Sequence, residues 1–153
     1  MFKTILLSVS LIAASGASAA AQERQWTLDV GDSEAYLVFG VPDSDDVGIS
    51  FWCSLRSGEI SVFVPNSDPK LKPGRQASFT VSAGGRTVKL RGKTTANQQA
   101  GTTSIEAKLA DSNRLFASLA KADRFKVRIG GTEIVYPLID ADLPGLRDAC
   151  KKP

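Results

Sequence analysis

Histidine is absent from this chain of 153 residues, and cysteine occurs only twice. Without histidine the chain cannot build a Ser-His-Asp triad, a Cys-His nucleophile or a histidine-ligated zinc, copper or haem site. Aromatic residues make up only 7% of the chain, and the one long apolar run lies at the N-terminus. We therefore expect a binding protein without cofactor or metal, and we regard an enzyme that uses only carboxylates as the least favoured alternative.

The N-terminal 21 residues have the layout of a secretory signal. Lys3 precedes an apolar run over residues 5–14, and small-residue cleavage motifs follow at 17–19 and 19–21. The run is too short to anchor the chain stably in a bilayer, and no later segment is long and apolar enough to cross one. The sequence predicts a signal peptide over residues 1–21, a single domain over residues 22–153, and a periplasmic or secreted location.

Export determines how the two cysteines are interpreted. A lone pair of cysteines in an oxidising compartment usually forms a disulfide, and Cys53 and Cys150 lack the close spacing of a redox-active CxxC motif. We predict a structural Cys53–Cys150 bond that ties an early strand to the end of the chain.

Most of the chain after the signal alternates apolar and polar residues with a period of two, which is typical of half-buried strands. These segments are residues 26–30, 35–39, 49–55, 59–64, 76–82, 87–92, 103–109, 125–129 and 132–138. Residues 112–121 and the segment from Leu143 to Cys150 have helical spacing, with Asp111 or Ser112 expected to cap the first helix and Asp142 the second. Residues 65–74 and 94–101 are expected to be loops. The pattern predicts a mainly β domain, an antiparallel sandwich or small barrel of about eight strands with one covering helix and a short C-terminal helix.

Charge is distributed unevenly along the chain. Residues 22–68 hold nine acidic and two basic residues, whereas residues 69–153 hold sixteen basic and seven acidic ones. Six cations also alternate with apolar residues in two predicted strands, which places them on the solvated face: Lys89, Arg91, Lys93, Arg124, Lys126 and Arg128. If the two strands lie close together, these six residues form an anion-binding patch, which Lys70, Lys72, Arg75 and Arg86 would extend. The alternatives are a merely solvated sheet face, or acidic strands that pair with the basic ones and cancel their field.

Two further groups of residues admit more than one interpretation. Tyr36, Trp52 and Phe63 fall outside the main apolar faces and, with Trp26, would form a stacking surface unless a helix buries them. The acidic segment 43–46 is interpreted as a polar turn rather than a calcium loop, because the closing glutamate of such a loop is missing.

The C-terminal quarter resembles small exported proteins of the invasion-associated locus B type. The resemblance rests on a leucine-bearing helical segment at 115–119, a strand at 125–129, the segment Tyr136-Pro137-Leu138, and a short helix from Leu143 to Cys150. It implies a periplasmic or surface β-protein associated with virulence and host interaction, and it carries over no catalytic residue.

Together these features indicate an exported interaction module that recognises an anionic cell-envelope component or a protein partner. Nucleic acid is not expected, because the compartment is wrong and no aromatic platform accompanies the basic strands. The alternative is an inhibitor of a lysozyme-type enzyme, in which the acidic segment 43–46 contacts a cationic enzyme surface.

Overall fold

The computed structural model describes residues 23–67, 70–98 and 101–153, so the predicted signal peptide lies outside the described residues. Nine strands and two short helices follow one another. They are β1 (Gln25–Val30), β2 (Glu34–Gly40), β3 (Val47–Ser54), β4 (Glu59–Ser67), β5 (Gln76–Ala83), β6 (Arg86–Asn97), β7 (Thr102–Ala110), α1 (Arg114–Leu119), β8 (Arg124–Ile129), β9 (Thr132–Pro137) and α2 (Leu143–Cys150).

All nine strands belong to one sheet, in the order β1-β2-β3-β4-β7-β6-β5-β8-β9. Every pairing is antiparallel, which confirms the mainly β, antiparallel prediction with two short helices. The expected sandwich is not confirmed, because the strands form a single sheet. Chain order is broken at two places, where β4 pairs with β7 and where β5 pairs with β8, so that the β5–β6 hairpin lies between β7 and β8.

The sheet curls until its two edge strands meet. Twist accumulates from strand to strand, and large sheets relieve it by curling. The indole nitrogen of Trp26 in β1 donates a hydrogen bond of 2.7 Å to the carbonyl oxygen of Pro137 in β9. The Tyr136 hydroxyl of β9 donates a second hydrogen bond, of 3.0 Å, to the carbonyl oxygen of Gly48. Trp26 therefore bridges the seam between the first and last strands of the sheet, and Tyr136 links the last strand to β3.

The core fills the concave face of this curled sheet. Alternate residues of each strand point inward, so that Leu37, Phe51, Val62 and Val127 are buried together. The helices close the concave face: the Phe116 ring of α1 lies 6.4 Å from the Phe51 ring, and Leu143 and Leu146 of α2 are fully buried. The convex face is consequently the solvated one.

The predicted disulfide is confirmed. Cys53 of β3 and Cys150 of α2 are bonded, with Cα atoms 5.8 Å apart. Two backbone hydrogen bonds reinforce the junction, from the Arg56 amide to the Ala149 carbonyl (3.0 Å) and from the Gly58 amide to the Cys150 carbonyl (2.8 Å). Such a bond is consistent with an extracytoplasmic protein. In the described ranges neither helix has the length and apolarity needed to cross a membrane.

The helix caps agree with the sequence prediction at one helix only. The Asp142 carboxylate accepts a hydrogen bond of 2.9 Å from the Gly145 amide, as predicted for the start of α2. At α1 the prediction of Asp111 or Ser112 is wrong: the Asn113 side chain accepts from the Leu115 amide, and the helix is shorter than residues 112–121. Asparagine caps as well as serine or aspartate does, so the sequence did not separate neighbouring candidates.

The prediction of a loop over residues 94–101 is also wrong in part. β6 continues to Asn97, because Thr94 takes the buried position that an apolar residue holds elsewhere in the strand. Its hydroxyl accepts a hydrogen bond from the Arg75 amide (2.9 Å) and lies 2.8 Å from the Lys72 carbonyl oxygen. Because its hydroxyl is hydrogen-bonded, Thr94 can occupy an inward position of the strand although it is polar, and the alternation of inward and outward residues continues. Similarly, β4 runs to Ser67, beyond the predicted start of the loop at residue 65.

Candidate anion-binding face

The two basic strands lie on either side of a single strand. β5 pairs with β6 along one edge and with β8 along the other. Thr80 of β5 is directly opposite Lys89 of β6 and directly opposite Arg128 of β8. Residues opposite each other in an antiparallel pair point to the same face, so both cations share the convex face with Thr80.

The same register extends along the three strands. Arg91 lies opposite Ser78, and Lys126 lies opposite Ser82. We name the six outward cations of these two strands the basic face: Lys89, Arg91 and Lys93 of β6, and Arg124, Lys126 and Arg128 of β8. Since neighbouring strands are about 4.8 Å apart, the two rows are separated by about 10 Å. That is within roughly one Debye length at moderate salt, so the fields of the rows add.

The strand between the two rows carries no charge. Its outward side chains are those of Gln76, Ser78, Thr80 and Ser82, which are polar and small or flexible. A neutral, hydroxyl-bearing strip about 10 Å wide therefore lies between two cationic rows.

Acids lie beside three of the six cations of the basic face. Lys126 forms an exposed ion pair of 2.9 Å with Glu133 of β9, and the hydrogen bond from that ammonium lowers the pKa of Glu133. Arg128 lies opposite the same Glu133, and Lys93 lies opposite Glu106 of β7. Within the described ranges Lys89, Arg91 and Arg124 form no ion pair.

The acidic N-terminal strands do not pair with the basic strands. The sheet order places β4 and β7 between the acidic strands β1 to β3 and the first basic strand, β6. In β4 the Glu59 carboxylate bonds to Lys108 of β7 at 3.0 Å, which is outside the basic face. The convex surface is thus divided into an acidic half and a basic half.

The aromatic residues separate into an inner and an outer group. Trp26 is buried in the core and takes no part in a stacking surface. Tyr36 and Trp52 lie opposite each other on the convex face, where their rings stack with centroids 5.9 Å apart and planes 17° apart. Because the helices occupy the concave face, they do not cover this pair. The Tyr36 hydroxyl donates a hydrogen bond to Glu34, which raises the pKa of Tyr36.

Sequence analysis did not anticipate a depression of about 330 Å³ beside the aromatic pair. Its lining includes Asp29, Tyr36, Val38, Pro42, Asp43 and Asp46. The segment after β2 folds over as a tight turn, in which the Val41 amide donates to the Asp46 carbonyl and the Asp46 carboxylate pairs with Arg24 at 2.6 Å. The sequence did contain an indication of this depression, because the acidic segment 43–46 begins three residues after the strand that holds Tyr36.

Comparison of the chain with protein-family models, with curated proteins and with solved structures finds no match. The resemblance to the invasion-associated locus B type stays a prediction, and the function is inferred from the charge layout and the geometry of the convex face.

Proposed function

We propose that the protein is an exported binding module, periplasmic or secreted, that holds an anionic cell-envelope component on its basic face. The observation that supports this proposal best is the register of β6, β5 and β8. It places the cations of two strands on one convex surface, on either side of an uncharged strand. Charges placed at random on a solvated sheet face would not be expected to put cations on both strands that flank an uncharged one.

The spacing of the basic face suits an extended polyanion. Successive outward residues of one strand are about 6.8 Å apart, so each row offers cations at regular intervals along β5. A chain bearing phosphate, sulfate or carboxylate groups would run along β5, beside the β6 cations from Gln76 to Thr80 and beside the β8 cations from Thr80 onward to the turn. The cations supply long-range attraction, and the hydroxyls donate hydrogen bonds to oxygens of the ligand.

Neutralising three cations of the basic face is expected to weaken polyanion binding strongly. In the variant Lys89→Gln/Arg91→Gln/Arg128→Gln, each lost exposed contact removes about 0.5–1 kcal/mol, which amounts to about 10- to 100-fold in affinity. The measurement is retention and equilibrium binding of dextran sulfate between about 50 mM and about 200 mM salt, where the slope of log affinity against log salt should also become shallower.

A matched control separates local contacts from overall charge. Arg114→Gln/Lys121→Gln/Lys151→Gln removes three exposed cations from the two helices and their ends, with the same change in net charge. It should retain most of the affinity for dextran sulfate. Equal losses in the two triple variants, or binding that is insensitive to salt, would contradict a role of the basic face.

The acidic half of the convex face supports a second candidate function, inhibition of a cationic lysozyme-type enzyme. The depression is lined by Tyr36 and by the carboxylates of Asp29, Asp43 and Asp46, and Trp52 stacks on Tyr36 outside it. Aromatic rings attract Lys and Arg side chains through their negative faces, and the surrounding carboxylates favour the same ligands. Asp43 and Asp45 are exposed and form no ion pair within the described ranges, whereas Asp46 is held by Arg24.

This second function predicts a specific pattern of loss. A muramidase assay should show inhibition by the protein, and both Trp52→Ala and Asp43→Asn/Asp45→Asn should reduce the inhibition about tenfold or more, the size of hot-spot losses at interfaces. The double variant Asp123→Asn/Asp148→Asn, which neutralises two exposed acids elsewhere, should inhibit as the parent does. Failure of the parent protein to inhibit any cationic muramidase removes this candidate.

A further inference from the structure

A depression of about 280 Å³ lies at the end of the basic face, where β5 turns into β6. Its polar lining consists of Ser82 of β5, Arg86 and Thr87 of β6, and Arg124 and Lys126 of β8. The rest of the lining is alanine and the two glycines of the turn. We call this depression the turn pocket; three cations and two hydroxyls line it, and no carboxylate does.

The register of the three strands explains why these residues meet. Ser82 is opposite Thr87 on one side and opposite Lys126 on the other. Arg124 lies two residues before Lys126, on the same outward side and nearer to the turn. Arg86, the first residue of β6, lies opposite the buried Ala83 and is therefore out of phase with Ser82 and Thr87; it lines the depression at the end of the hairpin, beside the turn.

The turn itself leaves space for a ligand. Gly84 and Gly85 have φ angles of 54° and 76°, which glycine adopts without strain. A Cβ atom added at Gly85 would meet no heavy atom within 4 Å. The surface of the hairpin turn is therefore open beside the cations.

The two hydroxyls of the turn pocket retain donor capacity. The Ser82 and Thr87 hydroxyl oxygens are 2.9 Å apart, and either of them can be the donor in that hydrogen bond. Each hydroxyl carries one proton, so the bond between them uses one proton and leaves the other available. The pocket thus combines guanidinium and ammonium charge with a neutral hydroxyl donor, the set that recognises tetrahedral oxyanions.

One cation of the turn pocket already has a competing partner. The Lys126 ammonium lies 2.9 Å from Glu133, and the ion pair is about half exposed at both ends. The Lys126 ammonium lowers the pKa of Glu133, and this attraction competes with a bound anion for the same ammonium. Removing the charge of Glu133 would leave Lys126 free for the ligand.

We propose that the turn pocket binds a phosphate monoester, the compact dianionic group at the end of an envelope glycan or lipid. This inference deepens the proposed function and rests on it, because the turn pocket continues the basic face. Three cations around one small depression suit a dianion better than a single carboxylate, and the oxygens of a phosphate can accept bonds from guanidinium, ammonium and hydroxyl together. The rows of cations on β6 and β8, on either side of β5, would hold the remainder of the polymer.

The test is titration of the purified protein with inorganic phosphate and with glycerol 3-phosphate, followed by backbone amide NMR. We expect saturable shifts centred on Gly84, Gly85 and Arg86. The variant Arg86→Gln/Arg124→Gln should weaken both ligands at least fivefold, whereas Glu133→Gln should strengthen them about two- to threefold, the value of an exposed ion pair. A gain from Glu133→Gln is the informative result, since damage to the fold would produce only losses.

The control variant Lys89→Gln/Arg91→Gln lies on the basic face outside the turn pocket and should leave phosphate affinity within a factor of about two. Equal binding of acetate and phosphate, or no gain in Glu133→Gln, would overturn the phosphate site. If dextran sulfate still binds to the basic face while phosphate fails, only this inference is wrong; if both fail, the proposed function is wrong as well. Vesicles of phosphatidic acid, compared with phosphatidylglycerol and with the free phosphates, show whether the source of the monoester is a lipid headgroup or a soluble group.

Discussion

Replacing both cysteines by alanine is expected to lower the free energy of unfolding by about 4–5 kcal/mol. Cys53 and Cys150 are 97 residues apart in sequence, so their bond closes a loop that spans most of the domain. The bond restricts the unfolded chain far more than the folded one, and the loss of that restriction favours unfolding. Because domains of this size are stable by only about 5–15 kcal/mol, the variant Cys53→Ala/Cys150→Ala would be near the limit of folding at physiological temperature.

Alanine isolates the effect of the crosslink better than serine does. Both cysteine side chains are buried, and two serine hydroxyls at these positions would add the cost of burying polar groups. Urea unfolding followed by circular dichroism should give the same midpoint for the double variant and for the reduced parent protein. The m-value should rise, since an unfolded chain without the crosslink exposes more surface. A difference of less than about 1 kcal/mol between oxidised and reduced protein would contradict the chain-entropy argument.

Alternation along the strands was the part of the fold that sequence analysis predicted best. Residues such as Phe51 and Trp52 are neighbours in sequence but lie on opposite faces of the sheet, as the period of two requires. The same rule placed Lys89 and Arg128 on the solvated face before their strands were known to be close. The pairing of Cys53 with Cys150 followed from their being the only two cysteines.

The order of the strands could not be predicted in this way. Which strand lies beside which depends on contacts between segments distant in sequence, such as β4 with β7 and β5 with β8. Periodicity within a strand carries no information about such partners. The basic face exists because β5 lies between β6 and β8, and the turn pocket requires the same arrangement of strands.

Trp26 shows why the sequence left burial and exposure of an aromatic residue open. Its alternation with Thr27 and Leu28 gives it a face but does not say what covers that face. Curling of the sheet brings Pro137, 111 residues away, within hydrogen-bond distance of its indole, and this contact has no local signal. The rings of Phe39 and Phe51 lie 5.2 Å and 6.1 Å from Trp26 and complete its burial.

Trp26→Ala is expected to destabilise the protein by about 3–5 kcal/mol, the range for removing a large aromatic side chain from a core. The ring also contacts Phe125 of β8, with centroids 6.4 Å apart, so its loss removes contacts from both sides of the seam. Trp26→Phe keeps most of the apolar contacts but leaves the Pro137 carbonyl without its indole donor, which should cost about 1–2 kcal/mol. The loss of unfolding free energy in Trp26→Phe therefore measures the hydrogen bond at the seam, and the additional loss in Trp26→Ala measures the packing of the ring.

The matched control is the other tryptophan, Trp52, which stacks on Tyr36 outside the core. Trp52→Ala removes the same atoms from the convex face and should cost only about 1–2 kcal/mol, since that ring is partly exposed and no enclosed cavity is left. Unfolding of all three variants should be followed by circular dichroism, because the fluorescence probe itself changes. If Trp26→Ala and Trp52→Ala are equally destabilising, the closure of the sheet by the seam contacts does not contribute the stability assigned to it. A larger effect at Trp26 places the stabilising contacts at the seam, where the indole of β1 bonds to Pro137 of β9 and contacts Phe125 of β8.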